Sequence, residues 1–429
     1  MCHRILSVVL CAVLGCPMMA AEEPAWTVFN GLGHDNISNE TGLLKTWGTE
    51  GPKLLWKNSG IGNTEFPGYA SVTVADGRIF TAGNVKVAQS DKTADSVVFA
   101  LDEKTGKEIW RYNNGSGWTD NTKFPGERGT PTIDGDRLYA YSSVGILACL
   151  EAKTGKEIWK RNLREDYIAQ LPEWAYAESV VIDGSNVIVW SGGVKVSVAA
   201  LDKMTGKTVW TTPPTGEIGN YASMTAFDYK GIRFYVNMTQ KGVLAVNAAT
   251  GEKLFYHPHE TKYDINANTP YYCGDGKLLV ISGNASGAEM LQLNVTDNKV
   301  TVNVLWKEPK LDTLHGGFIV KDSYIYAAAH NYKRGIWLCV KLDDGKIVWE
   351  NRGPSEGAVS YADGLLYLYS EKEGNVALVK PSPEKYQEVS RFTLPEEGAG
   401  MYWAHPVICG KKLFLRHAEF LYCYDIAER

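Results

Sequence analysis

Tyr69, Arg128, Glu178, Tyr221, Asn268, His315, Glu356 and His405 share one trait: each stands just before a short apolar run. Two tryptophans, Trp174 and Trp403, lie close to members of the set. A guanidinium, imidazoles, carboxylates, an amide and aromatic faces, gathered about one axis, would line a funnel for a small polar ligand, a glycan or a peptide loop. The same groups would equally serve to cap strand ends and hold axial water. No local catalytic signature accompanies them: the chain has no G-x-S-x-G elbow, no H-E-x-x-H and no phosphate-binding glycine loop. "HPHE" at 257–260 offers two histidines and a glutamate. With no further ligands in view it reads as an incidental surface cluster.

What would bring such scattered residues together is a repeat. "LDEKTGKEIW" (101–110), "LEAKTGKEIW" (150–159) and "LDKMTGKTVW" (201–210) are near copies. Upstream of each is an Asp-Gly pair between alternating apolar residues, the strongest short signal for a β-hairpin. In the Asp-x-x-Thr-Gly turn, the acidic side chain can accept backbone N–H bonds while glycine takes the positive φ. Each unit therefore reads as four antiparallel strands. The hairpin turn recurs at Asp76, Asp134, Asp183, Asp228, Asp275, Asp322, Asp363 and Gly410. The closing aromatic recurs at Trp56, Trp110, Trp159, Trp210, Phe255, Trp306, Trp349 and Phe392.

Eight units at this spacing predict an all-β, eight-bladed β-propeller of four-stranded antiparallel blades. The last unit stops after its third strand, and "GPKLLWKN" (51–58) has no unit before it. The N-terminal strand is therefore expected to complete the last blade, which removes an open sheet edge. The repeated aromatics then serve as packing anchors between blades. Long loops are expected at 81–96, 111–129, 160–178 and 256–269, where binding residues commonly sit.

Of 429 residues, 44 are Lys or Arg and 49 are Asp or Glu, a net charge of −5. That balance argues against a nucleic-acid binder, which carries a basic surplus. Residues 1–21 read as a secretory signal: Arg4, then a short apolar run, then small residues, with cleavage near Ala20 or Ala21. Cys16, in "VLGC", is an alternative site for a lipid anchor. No other apolar run is long enough for a transmembrane helix. Residues 22–429 read as one propeller domain. Its five cysteines, Cys149, Cys273, Cys339, Cys409 and Cys423, have no metal-type spacing and read as buried strand thiols, with one long-range disulfide left open.

The "LDxKTGKxxW" signature with its upstream Asp-Gly hairpin resembles the pyrroloquinoline-quinone (PQQ)-type β-propeller repeat of the quinoprotein alcohol dehydrogenase-like family. The lead-in "NISNETGLLKTWGTEGPKLLWKNSGIG" (36–62) resembles exported planctomycete-type members. A more distant similarity is to the lipoprotein scaffold of outer-membrane protein assembly. The resemblance implies an exported protein of the periplasm or cell envelope. It offers two branches of function. In the first, the chain is a non-catalytic binding or scaffolding module without a cofactor, holding an envelope protein or a small ligand at the axial loops. In the second it is a dehydrogenase oxidising an alcohol or sugar with PQQ and Ca²⁺. In that branch the order Glu178, Asn268 supplies metal ligands, Asp312 is the base, Arg128 contacts the quinone and Trp403 is its stacking floor. Against it stand the lack of adjacent cysteines and of a C-x-x-C-H haem site. A carbohydrate-binding propeller using the axial aromatics is the third reading.

Overall fold

The computed structural model describes residues 24–88, 92–120, 124–193, 195–217 and 221–429. Residues 1–21, read above as a secretory signal, and Cys16 within them lie outside the described residues. Eight sheets follow one another along the chain. Seven have four strands and one has five. The first blade runs through Thr73–Ala75, Arg78–Val85, Asp95–Asp102 and Glu108–Ser116. The four repeat strands of each blade pair antiparallel; Phe80, for example, faces Ala100, which in turn faces Trp110. No helix of the described residues is long and apolar enough to cross a membrane.

The ring closes as the sequence predicts. Lys53–Asn58 pairs antiparallel with Phe420–Asp425, with Leu54 opposite Tyr424 and Trp56 opposite Cys423. The lead-in does more than add a strand. Trp26 bridges the inner strand of the first blade at Val74. Thr27 accepts a backbone hydrogen bond from Ile133 of the second blade at 2.8 Å. Ile37–Ser38 pairs in parallel with Gly357–Ala362 of the seventh, becoming its fifth strand. The segment thus ties the inner strands of three blades together.

Apolar burial is partitioned between neighbours. The eight hydrophobic clusters each lie between consecutive blades, from Phe80, Trp110 and Leu138 between the first two to Trp56, Phe99 and Phe414 between the last and the first. Alternation explains this, because successive side chains of a strand face opposite sides of its sheet and each side meets a different neighbour.

The repeated turn completes each junction. Asp102 Oδ1 accepts from the Thr105 backbone N–H at 2.8 Å and from its hydroxyl at 2.7 Å, shaping the turn. Gly106 then takes φ +67° and lies flat on the Trp56 ring of the preceding blade; a Cβ there would fall 2.3 Å from a ring carbon. The Trp56 indole N–H donates to the Glu103 carbonyl in the same turn, at 3.0 Å. The pattern repeats for Trp110 with Gly155, Trp159 with Gly206, Trp210 with Gly251 and Trp306 with Gly345. Between the seventh and eighth blades Gly51, from the lead-in, lies against Phe392 in the same way. The fourth junction departs: Phe255 faces the long hairpin of Gly287–Thr296 and Lys299–Glu308, whose Val295, Val300 and Val302 pack in place of the turn glycine.

Several loops are shorter than the sequence suggests. Strands extend through Val85 and from Asp95, through Ser116, through Asn162 and through Pro258. Polar residues mislead here because outer strands expose one face to water, so Arg111, Tyr112 and Asn113 read as loop although they pair with Phe99, Val98 and Val97. The five cysteines among the described residues are unpaired thiols, four buried and Cys273 half-buried.

Candidate functional site

Inner strands begin near the propeller axis, so the residue just before each is delivered to the same end of the molecule. There a cavity of about 380 Å³ opens. Tyr69, Arg128, Trp174, Tyr221, His315, Trp403 and His405 all line it. Glu178 and Asn268 do not; their neighbours Ala177 and Ala267 take those places. A shift of one residue on an extended backbone turns a side chain to the other face.

The wall is mainly aromatic. The Trp403 ring lies 4.3 Å from His315, 4.7 Å from Tyr69 and 4.9 Å from Phe124, centroid to centroid. Phe124 also approaches Trp174 at 6.1 Å. Phe29, from the lead-in, stacks obliquely on His405 at 5.1 Å. Nothing in the repeat signals Phe29, because the lead-in has no counterpart in other blades.

The polar groups of the wall hold fixed partners. The Arg128 guanidinium sits over the Tyr69 ring at 5.3 Å and donates Nε–H to the Trp174 carbonyl at 2.8 Å and another N–H to the Phe124 carbonyl. Burial lowers its pKa to about 10. Burial raises the Tyr69 and Tyr221 phenols to about 12. His405 pairs through Nε2 with the His315 carbonyl at 2.8 Å and through Nδ1 with Asn36 Oδ1 at 3.1 Å. Burial, helped by the charges of His330 and Arg128, pushes His315 down to about 3, so its ring is neutral.

One stretch of wall is charged through His330, Glu371 and Lys372, with Glu356 behind them. Glu356 precedes its inner strand, as expected. His330 and Glu371 instead follow the second strands Tyr324–Ala329 and Leu365–Ser370, which end where inner strands begin. The antiparallel hairpin is the signal that would have found them. His330 Nδ1 lies 2.9 Å from Glu356 Oε2. Lys372 Nζ lies 2.5 Å from Glu356 Oε1 and 3.7 Å from Glu371 Oε1. Trp403 Nε1 donates to Glu371 Oε2 at 3.1 Å. Burial, then the nearby Glu356 carboxylate, raises the Glu371 pKa to about 7. Burial would raise Glu356 too, but His330 and Lys372 outweigh it and hold its carboxyl below the usual range.

The residues assigned to a calcium–quinone centre do not fit one. Glu178 Oε2 accepts from the Trp190 backbone N–H at 2.8 Å. Asn268 donates its amide to the Thr313 and Ile281 carbonyls at 2.7 and 3.2 Å. Asp312 takes backbone N–H groups from Ala285, His330, Asn331 and Tyr332 at 3.0–3.4 Å. Asp312 is spent on backbone N–H groups and Asn268 gives its amide to two carbonyls, Glu178 keeps a buried Oε1 without a hydrogen-bond partner among the described residues, and none of the three lines the cavity that holds Arg128 and Trp403. "HPHE" is also not a surface cluster: His259 is buried, and Glu289 of the next blade lies 2.7 Å from His257 and 3.5 Å from His259, with Lys307 at 2.6 Å.

Comparison with known proteins places the chain among propellers of this repeat. Residues 94–351 match the family described as outer membrane protein assembly factor BamB. Tetrathionate hydrolase of Acidithiobacillus ferrooxidans is 26% identical over 228 residues, covering 44% of this chain and 40% of that protein. The chain thus spans well under half the length of this curated relative. BamB from Moraxella catarrhalis superposes with a TM-score of 0.55 at 14% identity, over 84% of this chain and 95% of that one. Quinohemoprotein alcohol dehydrogenase from Comamonas testosteroni gives 0.62 at 12% identity, over 96% and 82%. At such identities the structural likeness is one of fold.

Proposed function

The chain belongs to the family of the outer membrane protein assembly factor BamB, and from that premise we propose that it is a non-catalytic binding module of the cell envelope, exported by the leader at residues 1–21. Its ligand is an envelope protein, which inserts a loop into the axial cavity. The observation that carries this reading is the makeup of the cavity wall. It is an aromatic surface, and its Arg128, His405 and Glu371 are held by neighbours. Such a wall suits burial of an apolar or aromatic side chain with hydrogen bonds at the mouth.

Solved structures of the same fold include an outer membrane protein assembly factor and quinohemoprotein alcohol dehydrogenases, so the test separates the two readings. Purified protein is given PQQ and Ca²⁺ and assayed for dye-linked alcohol oxidation; separately it is cross-linked to envelope extract of its own source. The proposal expects no turnover and one dominant cross-linked partner that is lost in Trp174→Ala. Turnover that disappears in Glu178→Ala would replace it with the enzyme reading. Release of bound glycan from the wild type alone would replace it with the carbohydrate reading.

A further inference from the structure

His330, Glu356 and Glu371 come from three segments of two adjacent blades, yet one ligand atom from each lies within 4.8 Å of the other two. Among the described residues this is the one such group of three or more His, Cys, Asp or Glu side chains. Both glutamates are buried, at 5% and 6% exposure. Placing two carboxylates together away from water is unfavourable unless a cation joins them or one of them keeps its proton. The nearest one, Lys372, has a side chain 54% exposed and so can leave for solvent without breaking the core.

The backbone beneath the group is held firmly. Asp312 anchors the turn carrying His330 by accepting the N–H groups of His330, Asn331 and Tyr332. Glu371 N donates to the Glu356 carbonyl at 2.9 Å, continuing the hairpin ladder past its named strands. Trp403 orients the Glu371 carboxylate from outside the group, the kind of outer contact that tunes metal ligands. A further imidazole is close by. His315 Nδ1 is buried and has no hydrogen-bond partner among the described residues, and its ring feels the charges of His330 and Glu356.

We infer that His330, Glu356 and Glu371 form a binding site for one divalent first-row transition ion, of which Zn²⁺ is the representative, with Lys372 standing in for the ion when it is absent. One imidazole and two carboxylates suit Zn²⁺, Co²⁺ or Mn²⁺, whereas Ca²⁺ takes oxygen ligands alone. Bonds of about 2.0–2.2 Å need ligand atoms roughly 3–3.5 Å apart, a side-chain adjustment that departure of Lys372 permits. His330, Glu371 and Lys372 line the cavity, so coordination positions left by the protein face the space where a ligand would sit. Metal binding stands or falls independently of the partner reading, because the ion alone is the probe.

The test uses the full mature chain, stripped with chelator and dialysed. Co²⁺ is titrated while visible ligand-field absorption is recorded, and Zn²⁺ is then added as competitor. One ion per chain is expected, displaced by Zn²⁺ and insensitive to excess Ca²⁺. Glu371→Gln and His330→Ala should weaken binding by roughly 100-fold or more. Lys372→Met should tighten it, which a merely structural ion pair would not do. Thermal unfolding of each variant confirms that it is folded, and the exposed Lys372 position keeps the test open should a ligand variant fail to fold. No stoichiometric Co²⁺ signal, an unchanged affinity in Glu371→Gln, or weaker binding in Lys372→Met would overturn the inference.

Discussion

The outer junctions between blades and the axial wall are built from the same units by opposite rules. At the junctions Trp56, Trp110, Trp159, Trp210 and Trp306 repeat one device, an indole beneath a turn glycine with its N–H on a turn carbonyl. At the axis the equivalent positions hold Tyr69, Arg128, Ala177, Tyr221, Ala267, His315 and His405, with little repetition. A ring of identical parts needs identical joints, so packing preserves the repeat there. The axis has one cavity shared by all blades, and each blade can offer a different group to it. Chemistry in this molecule therefore lies where the repeat fails.

That contrast can be broken from the joint side first, where the effects are largest. Trp159→Ala leaves a hole beneath Gly206 and strips an N–H bond, and should cost about 3–5 kcal/mol in chemical denaturation. Gly206→Ala places a methyl 2.8 Å from the same ring at φ +70°. It should cost about 2–3 kcal/mol. A loss below about 0.5 kcal/mol for either would mean that the joint is not what holds adjacent blades.

On the axial side the effect appears as pH dependence. The native Glu371 pKa is about 7 against an ordinary value of 4.5, so the native state holds a proton that the unfolded chain has released. Stability supplied by this proton is complete below about pH 4.5 and falls as pH rises to about 7. His330, raised chiefly by its hydrogen bond to Glu356, acts in the same direction, its contribution fading as pH rises past its native pKa. In metal-free protein, Glu371→Gln should remove about 1–3 kcal/mol of the decline between pH 5 and pH 8. An unaltered slope would show that the carboxylate is not strained. The smallest stability effect belongs to Trp174→Ala, whose half-buried ring rests on Phe124. It should shift stability by about 1 kcal/mol or less while abolishing partner capture.

How much of this could be read from the chain follows the same division. The eight blades and the closing strand were legible because the Asp-Gly hairpin and the Thr-Gly turn each have a backbone reason to recur. Most of the cavity wall was legible too, since register alone delivers Tyr69, Arg128, Tyr221, His315 and His405. Glu178 and Asn268 went astray by one residue, as alternation demands. His330 and Glu371 were missed because only the start of each inner strand was followed, and the second strand ends at the same place. Phe29 had no signal, since its position depends on long-range pairing of Trp26 and Ile37 with blades one and seven. His259 looked solvated in sequence, and only the fold shows Glu289 beside it.

The central claim is that the axis, not the outer surface, receives the partner. The rim is a fair competitor: Ile109, Ile158, Val209 and Leu305 stand on outer edge strands at 45%, 41%, 53% and 48% exposure. Hydrogen–deuterium exchange of the protein with and without its captured partner decides between them. The account predicts new protection in residues 124–128, 174–177 and 401–405, with exchange of the outer strands at 108–116 and 157–162 unchanged. Protection confined to those outer strands would contradict it.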